Sequence, residues 1–208
     1  LIGGLTGGMF SVLLVRISRG IPGRAGAFIT RRPLVFAALC GLALAIIGLL
    51  SDGMTYGTGY LQAREILMGS DHYHASFFLL KLLATLVSYC SGIPGGLFAP
   101  SLSVGAGMGG WIGHFLPHTP PEAVILLGTV AYFAAVTQAP LTATVIVMEM
   151  SDNQQITLAL MASAFLAFGV SRALCSHALY STLAIRFLRS AEPRKKAQAS
   201  ADTTTPKN

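Results

Sequence analysis

Long apolar runs, separated by short polar or proline-rich stretches, form the main pattern of this chain. About 20 mostly apolar residues are needed for an α-helix to cross a bilayer. Two runs, at residues 34–50 and 156–174, approach that length and predict full membrane-spanning helices. The remaining runs predict shorter helices, at residues 1–15, 75–90, 97–115, 123–136, 141–150 and 178–188.

Prolines interrupt this pattern at Pro94 and Pro140. Proline has no N–H and ends or kinks a helix. Interrupted helices persist at membrane depth only where they are buried in protein or line a cavity, and many transporters build ion sites from them. The mixture of full-length and broken, half-length helices therefore predicts an all-α polytopic membrane protein that does more than anchor.

The composition agrees with a membrane location. Hydrophobic residues make up 53% and charged residues 11% of the 208 residues, whereas a soluble domain carries about 25% charge. The basic residues gather at 16–32 and 186–196, beside apolar runs, as in the positive-inside pattern. We therefore expect both clusters on the cytoplasmic face. We expect no nucleic-acid partner, because a nucleic-acid reader spreads its basic residues over a folded polar face.

A glycine-proline stretch precedes the run at 97–115. Gly95 and Gly96 would allow a tight turn, and Pro100 suits the first turn of a helix. A helix that begins near Leu97 or Phe98 would present N–H groups that lack internal partners and carry partial positive charge, with no carboxylate cap. Such an end can bind an anion. A kink that only lets helices pack explains the same residues, so this pattern alone leaves both interpretations open.

Three motifs resemble signatures of the CLC family of chloride channels and chloride/proton antiporters. Residues 91–107 read SGIPGGLFAPSLSVGAG and resemble the family's GxFxP region. Residues 139–152 read APLTATVIVMEMSD and resemble its APLT…EMT signature. Residues 177–180 read HALY and resemble the segment that brings a pore tyrosine to the anion. The motifs occur in family order, with family-like spacing, and the resemblance covers nearly all of residues 1–190.

The resemblance implies transmembrane chloride transport, by a channel or by a chloride/proton antiporter, in a subunit made of two inverted halves. It implies that chloride is held by the backbone amides of Leu97 and Phe98 and by the hydroxyl of Tyr180, with no cofactor. The GSGIP serine and the GxEGP glutamate of the family's first half do not occur in this sequence. The chain is therefore similar to the second, carboxy-terminal half, and we expect it to be a fragment.

This resemblance also sets expectations for domains and partners. Residues 1–190 should form the carboxy-terminal half of a CLC transmembrane domain, and residues 191–208 a short basic and polar cytoplasmic tail that is disordered. The partners implied are chloride, the lipid bilayer and a second copy of the subunit, in a homodimer whose contact includes the helix at 156–174. The location implied is the bacterial cytoplasmic (inner) membrane.

Other candidate chemistry is less specific. Lys81 lies inside an apolar run, where a cation is costly; it either raises the local potential for chloride or forms a structural pair or reaches the interface. Glu149 looks structural within its motif. Three cysteines without CxxC spacing predict no metal site. An intramembrane enzyme would need a GxSxG-type nucleophile, so we predict no enzyme, while a membrane structural or interaction protein without conductance remains the alternative.

Overall fold

The computed structural model describes residues 1–18, 29, 31–67, 76–91, 95–116, 118–151 and 155–175. Its main elements are helices, as predicted, and no strand occurs among the described residues. We number the helices in chain order: α1 Ile2–Ser18, α2 Pro33–Leu50, α3 Tyr60–Leu67, α4 Phe77–Cys90, α5 Phe98–Gly113, α6 Pro121–Thr137, α7 Pro140–Ser151 and α8 Thr157–Leu174.

Helix α6 forms the centre of the bundle. Its sequence is apolar on every side, which is typical of a helix that is buried all round, and most of its residues are buried. It packs against α5, α8, α1 and α7. Two clusters of buried side chains lie on either side of it, one centred on Tyr132 and Val136 and the other on Val130 and Phe133.

Small residues bring the central helices close together. A Cβ atom added at Gly109 of α5 would lie 2.6 Å from the Cα atom of Ile125 in α6. A Cβ atom added at Gly7 of α1 would lie 2.7 Å from the Cβ atom of Ala135. Glycine is needed at such positions because any side chain would push the two backbones apart. The glycines at these positions of α1 and α5 therefore serve helix packing.

Side-chain hydrogen bonds join α6 to α8 along their length. The hydroxyl of Ser171 donates to the carbonyl oxygen of Ala135 at 2.6 Å. At the end of both helices, Nε2 of Gln138 donates to the carbonyl oxygen of Cys175 at 2.8 Å. Hydrogen bonds of this kind hold helices together where water cannot compete. They fix the point at which the chain leaves α8.

The interruption at Pro140 is confirmed. Helix α6 ends at Thr137, and Gln138 follows in the left-handed conformation with a φ of 55°. Helix α7 begins at Pro140, one residue earlier than the pattern predicts, because proline fits the first turn of a helix. It has 12 residues and is therefore too short to cross a bilayer. The second predicted interruption, Pro94, lies outside the described residues.

Among the described residues, two helices, α2 and α8, are long and apolar enough to cross a membrane. Each has 18 residues, or about 27 Å of helix. Helix α2 buries Cys40 and Gly48 and exposes most of its other side chains. Helix α8 exposes large apolar side chains, including Leu158 and Leu166. Apolar surfaces of this extent are typical of contact with lipid or with another protein.

Candidate anion-binding site

Helix α5 begins as the sequence predicts. Phe98 is its first residue and Leu97 its N-cap, and neither a side-chain cap nor an acidic residue is present in the first turn. The first ladder hydrogen bond runs from the N–H of Ser101 to the carbonyl oxygen of Leu97 at 3.0 Å. Because Pro100 has no N–H, the amides of Phe98 and Ala99 are the helical donors ahead of that bond. The helix dipole gives this end partial positive charge.

The two side chains beside these amides fix the position of the helix start. Leu97 is buried within the cluster that includes Leu86 of α4 and Tyr132 of α6. The ring of Phe98 meets the ring of Phe133 edge-on, with 4.7 Å between their centroids. This is a favourable geometry for aromatic pairs. The backbone at the start of α5 is therefore held by packing on two sides.

Ser101 contributes to the same turn, although its position in the sequence does not by itself mark it as part of the site. Its hydroxyl donates to the carbonyl oxygen of Leu97 at 2.6 Å. The hydroxyl thus satisfies a carbonyl and leaves the amides of the first turn uncapped. A serine four residues after the N-cap, as Ser101 is after Leu97, is the signal for this back-bonding, but its partner cannot be known before the helix start is fixed.

Gly95 and Gly96 lie directly before the start of α5. Neither adopts a positive φ, so the turn does not depend on the left-handed conformation that glycine permits. A Cβ atom added at either residue would meet nothing within 4 Å. Both residues are exposed and line a cavity. Their lack of side chains therefore leaves space in front of the helix start.

The cavity lies beside the start of α5 and has a volume of about 220 Å³, several times the roughly 30 Å³ share of one water molecule. Residues 95–97 form one wall, and Lys81 and Thr85 of α4 form another. The loop between α2 and α3 contributes Thr55 and Gly57. An open space thus connects a buried cation with the uncapped helix end.

Lys81 is buried, with 2% of its surface exposed. Its Nζ donates to the carbonyl oxygens of Thr55 at 2.8 Å and of Gly57 at 2.9 Å. The side chain therefore does not extend to the membrane interface. Of the roles that the sequence left open for Lys81, a structural pairing has direct support from these two hydrogen bonds. The carbonyl partners belong to a loop more than 20 residues away, so sequence spacing gave no signal for them.

Tyr180 and Glu149 are not among the described residues that line the cavity. Tyr180 lies outside the described residues, as do the tail and the motif at 177–180. Glu149 lies in the last turn of α7, away from the residues that line the cavity. In the part of the chain that the structure describes, no group of three or more histidine, cysteine or acidic residues could hold a metal ion.

Comparison with known proteins decides the family. The sequence profile described as "Voltage gated chloride channel" matches residues 1–172. The chain belongs to the voltage-gated chloride channel (CLC) family. CLC proteins are integral membrane proteins, and so is this chain, in agreement with the two helices long enough to span a bilayer.

Two bacterial CLC proteins illustrate the similarity. The H(+)/Cl(-) exchange transporter ClcA of Yersinia pestis bv. Antiqua (strain Angola) is 36% identical over 138 residues, which cover 62% of this chain and 29% of that protein. The voltage-gated ClC-type chloride channel ClcB of Salmonella typhimurium is 32% identical over 151 residues, which cover 69% of this chain and 36% of that protein. The CLC chain thus spans about a third of the length of these relatives.

A solved structure supports the CLC fold. The crystal structure of a CLC-type fluoride/proton antiporter matches with a TM-score of 0.71 and 23% identity. The match covers 88% of this chain and 44% of the antiporter chain. At this identity the similarity concerns the fold alone. The all-helical CLC architecture predicted from the sequence is therefore confirmed.

Proposed function

We propose that this chain forms the carboxy-terminal half of a CLC subunit that transports chloride across a membrane, and that the start of α5 binds the ion. The observation that carries the proposal is the uncapped start of α5 beside a cavity. The relatives' names refer to chloride exchange and to a chloride channel. Both activities require that the anion be bound and released, so the proposed site serves either one.

The physical argument concerns the strength of binding. The backbone amides of Leu97 and Phe98 offer partial positive charge rather than a full cation. An anion must lose water to enter the site, and several fixed dipoles can replace that water. A conducting site must also release its ion, which a full cation in direct contact would hinder. Backbone amides that are held in place by packing are therefore suited to a site that binds an anion and then releases it.

The hydroxyl of Tyr180 completes the proposed site. A phenol donates one neutral hydrogen bond, so it adds affinity without adding charge. The support for Tyr180 is its motif in the sequence. Gln138 binds the carbonyl of Cys175 at the end of α8, and Cys175 is five residues before Tyr180 in the sequence.

Lys81 contributes long-range attraction in this proposal. Its ammonium group borders the same cavity as residues 95–97 and is buried, so salt and water screen it less than a surface charge. Its bonds to two neutral carbonyls leave its positive charge in place. The cation thus raises the potential of the cavity without binding the ion at the helix start.

The functional test is chloride efflux from loaded proteoliposomes, driven by valinomycin and potassium. We expect the complete product of the gene that encodes this chain to release chloride, and residues 1–208 alone to release little or none, because donors from the other half would be absent. Protein-free liposomes loaded with the same salt serve as the control. A complete product that folds and dimerises but releases no chloride would contradict the proposal.

Membrane orientation forms a further part of the proposal. We place residues 16–32 and the tail after residue 186 on the cytoplasmic face of the bacterial inner membrane, and the loop after α2 on the opposite face. Tyr56 in that loop is 54% exposed. In a cysteine-free background, Tyr56→Cys should react with an impermeant maleimide on intact cells, and Ser18→Cys should not. The reverse labelling would refute this orientation.

We also propose a homodimer whose contact includes α8. Helix α8 exposes apolar side chains such as Leu166, which is 62% exposed. Such a surface can contact either lipid or a second subunit. Leu166→Trp should shift the complete product toward monomer in detergent. The matched change Leu39→Trp, on the exposed face of α2, should leave the dimer intact. A dimer that survives Leu166→Trp would exclude this contact.

A further inference from the structure

The loop between α2 and α3 is an ordered part of the cavity wall. Its first turn is closed by hydrogen bonds from the N–H of Gly53 to the carbonyl of Gly48 at 2.8 Å and between the hydroxyls of Ser51 and Thr55 at 2.8 Å. Thr55 is 6% exposed, although it lies in a loop. The buried face of this loop is turned toward α4 and the cavity.

Lys81 fastens this loop to α4. Its Nζ donates to two carbonyls of the loop, two residues apart, at Thr55 and Gly57. Hydrogen bonds from a charged donor are about twice as strong as neutral ones. Loss of the ammonium would leave the buried carbonyl of Thr55 without this donor, which is costly away from water. The cation therefore stabilises one defined position of the loop.

Gly59 lies at the other end of the loop, directly before α3. Its φ is +79°, a conformation that residues with a Cβ atom rarely adopt. A Cβ atom there would lie 2.5 Å from Oγ of Ser103 in α5 and 2.8 Å from Cε of Lys81. The loop thus returns into α3 directly against the stem of Lys81 and the flank of α5. A Cβ atom at this residue would require the loop, or the side chains of Ser103 and Lys81, to shift.

We propose that Lys81 is a positioning residue that, together with Gly59, holds residues 51–59 as the wall of the cavity that leads to the start of α5. This role is separate from the electrostatic one, because it depends on the two hydrogen bonds and on the close fit at Gly59. Its consequence for chloride rests on the proposed function. A displaced loop would change access to the cavity even when the positive charge is retained.

Gly59→Ala separates the two roles, because its Cβ atom disturbs the fit of the loop against Ser103 and Lys81 and keeps the charge of Lys81. Lys81→Met removes both the charge and the fastening. Lys81→Arg keeps the charge and offers several donors. Gly41→Ala is the matched control, since a Cβ atom at Gly41 meets nothing within 4 Å. Each variant is made in the complete gene product.

Two readouts are measured for every variant: hydrogen exchange of the amides at 51–59 in nanodiscs, and chloride efflux from proteoliposomes. For Gly59→Ala and Lys81→Met we expect at least about tenfold faster exchange of these amides and a severalfold change in efflux. We expect Lys81→Arg to retain most of the protection, and Gly41→Ala to behave as the wild type.

Several outcomes would overturn the proposal. Unchanged exchange of the loop in Lys81→Met would show that the cation does not hold it. Wild-type efflux in Gly59→Ala, with a displaced loop, would show that the loop is not part of the route. If Gly59→Ala does not fold, the test rests on Lys81→Arg. If the amides at 51–59 lose as much protection from exchange in Lys81→Arg as in Lys81→Met, the claim that the charged side chain holds the loop is refuted. If the wild type itself moves no chloride, the proposed function fails, while the exchange data still test the positioning role.

Discussion

The backbone amide of Phe98 can be removed without removing its side chain. Replacing Phe98 with its α-hydroxy acid, phenyllactate, converts the amide to an ester. The change deletes the N–H and also weakens the Leu97 carbonyl as an acceptor for the N–H and hydroxyl of Ser101. The ring would still pack against Phe133 at 4.7 Å, and helix α5 would still begin at the same residue, because the first N–H groups of a helix have no acceptor within it. The loss of the donor is therefore measured against a second ester placed where no anion is expected.

The expected loss follows from the charge of the acceptor. A hydrogen bond to a charged group contributes about 1.5–3 kcal/mol, and a factor of ten in affinity corresponds to about 1.4 kcal/mol. The ester at Phe98 should weaken chloride binding about tenfold to a hundredfold. By contrast, Phe98→Ala keeps the N–H and should have a smaller effect. The assay is chloride titration calorimetry on the complete gene product in detergent.

Phe78 provides a matched control for the ester. It is the second residue of α4, so its N–H also precedes the helical hydrogen-bond ladder, and the same hydroxy acid can be inserted there. This ester should leave chloride affinity unchanged, apart from any general loss of stability. Equal affinity for the Phe98 ester and the wild type, with Phe98→Ala also unchanged, would refute the assignment of the anion to the start of α5.

Three further predictions concern single substitutions. Tyr180→Phe removes one hydrogen bond of about 1 kcal/mol or somewhat more and should weaken chloride binding roughly tenfold in calorimetry, with an unchanged melting temperature. Gly96→Leu should fold normally, because a Cβ atom at Gly96 meets nothing within 4 Å, yet its side chain would occupy the cavity and lower chloride affinity; wild-type affinity would contradict this. Gly109→Ala should destabilise the bundle by about 1–3 kcal/mol, because its Cβ atom would lie 2.6 Å from Cα of Ile125. Thermal unfolding in detergent checks this, with Gly113→Ala, which meets nothing within 4 Å, as the neutral control.

Much of the helical architecture could be predicted from the sequence, because apolar run length and proline are local signals. The runs at 34–50 and 156–174 correspond to α2 and α8, and Pro140 separates α6 from α7. The start of α5 at Phe98 was also predicted, since glycine followed by a proline-containing turn marks a helix start. These features depend on residues that are near each other in the chain.

The site's long-range contacts could not be predicted in the same way. The partners of Lys81 lie in a loop that reaches α4 only through tertiary packing, so the sequence left its role open. The sequence also could not show that neither Gly95 nor Gly96 adopts a positive φ, or that both border a cavity. Both features depend on tertiary packing around the cavity, which residues near each other in the chain do not reveal.

Gln138 illustrates a residue whose importance is visible only in the fold. Its left-handed conformation ends α6, and its amide bonds the carbonyl of Cys175 at 2.8 Å. The sequence shows only a polar residue before an Ala-Pro pair. Because its partner is 37 residues away, no local pattern indicates that it ties the end of α8 to the centre of the bundle.

The location of a bound anion tests the central claim most directly. Crystals of the complete gene product grown in bromide allow the halide to be located by its anomalous scattering. The account predicts a bromide peak within hydrogen-bonding distance of the backbone nitrogens of Leu97 and Phe98, and loss of that peak when Phe98 is replaced by its hydroxy acid. A peak at another place in the fold, with none at the start of α5 in a product that transports chloride, would contradict it.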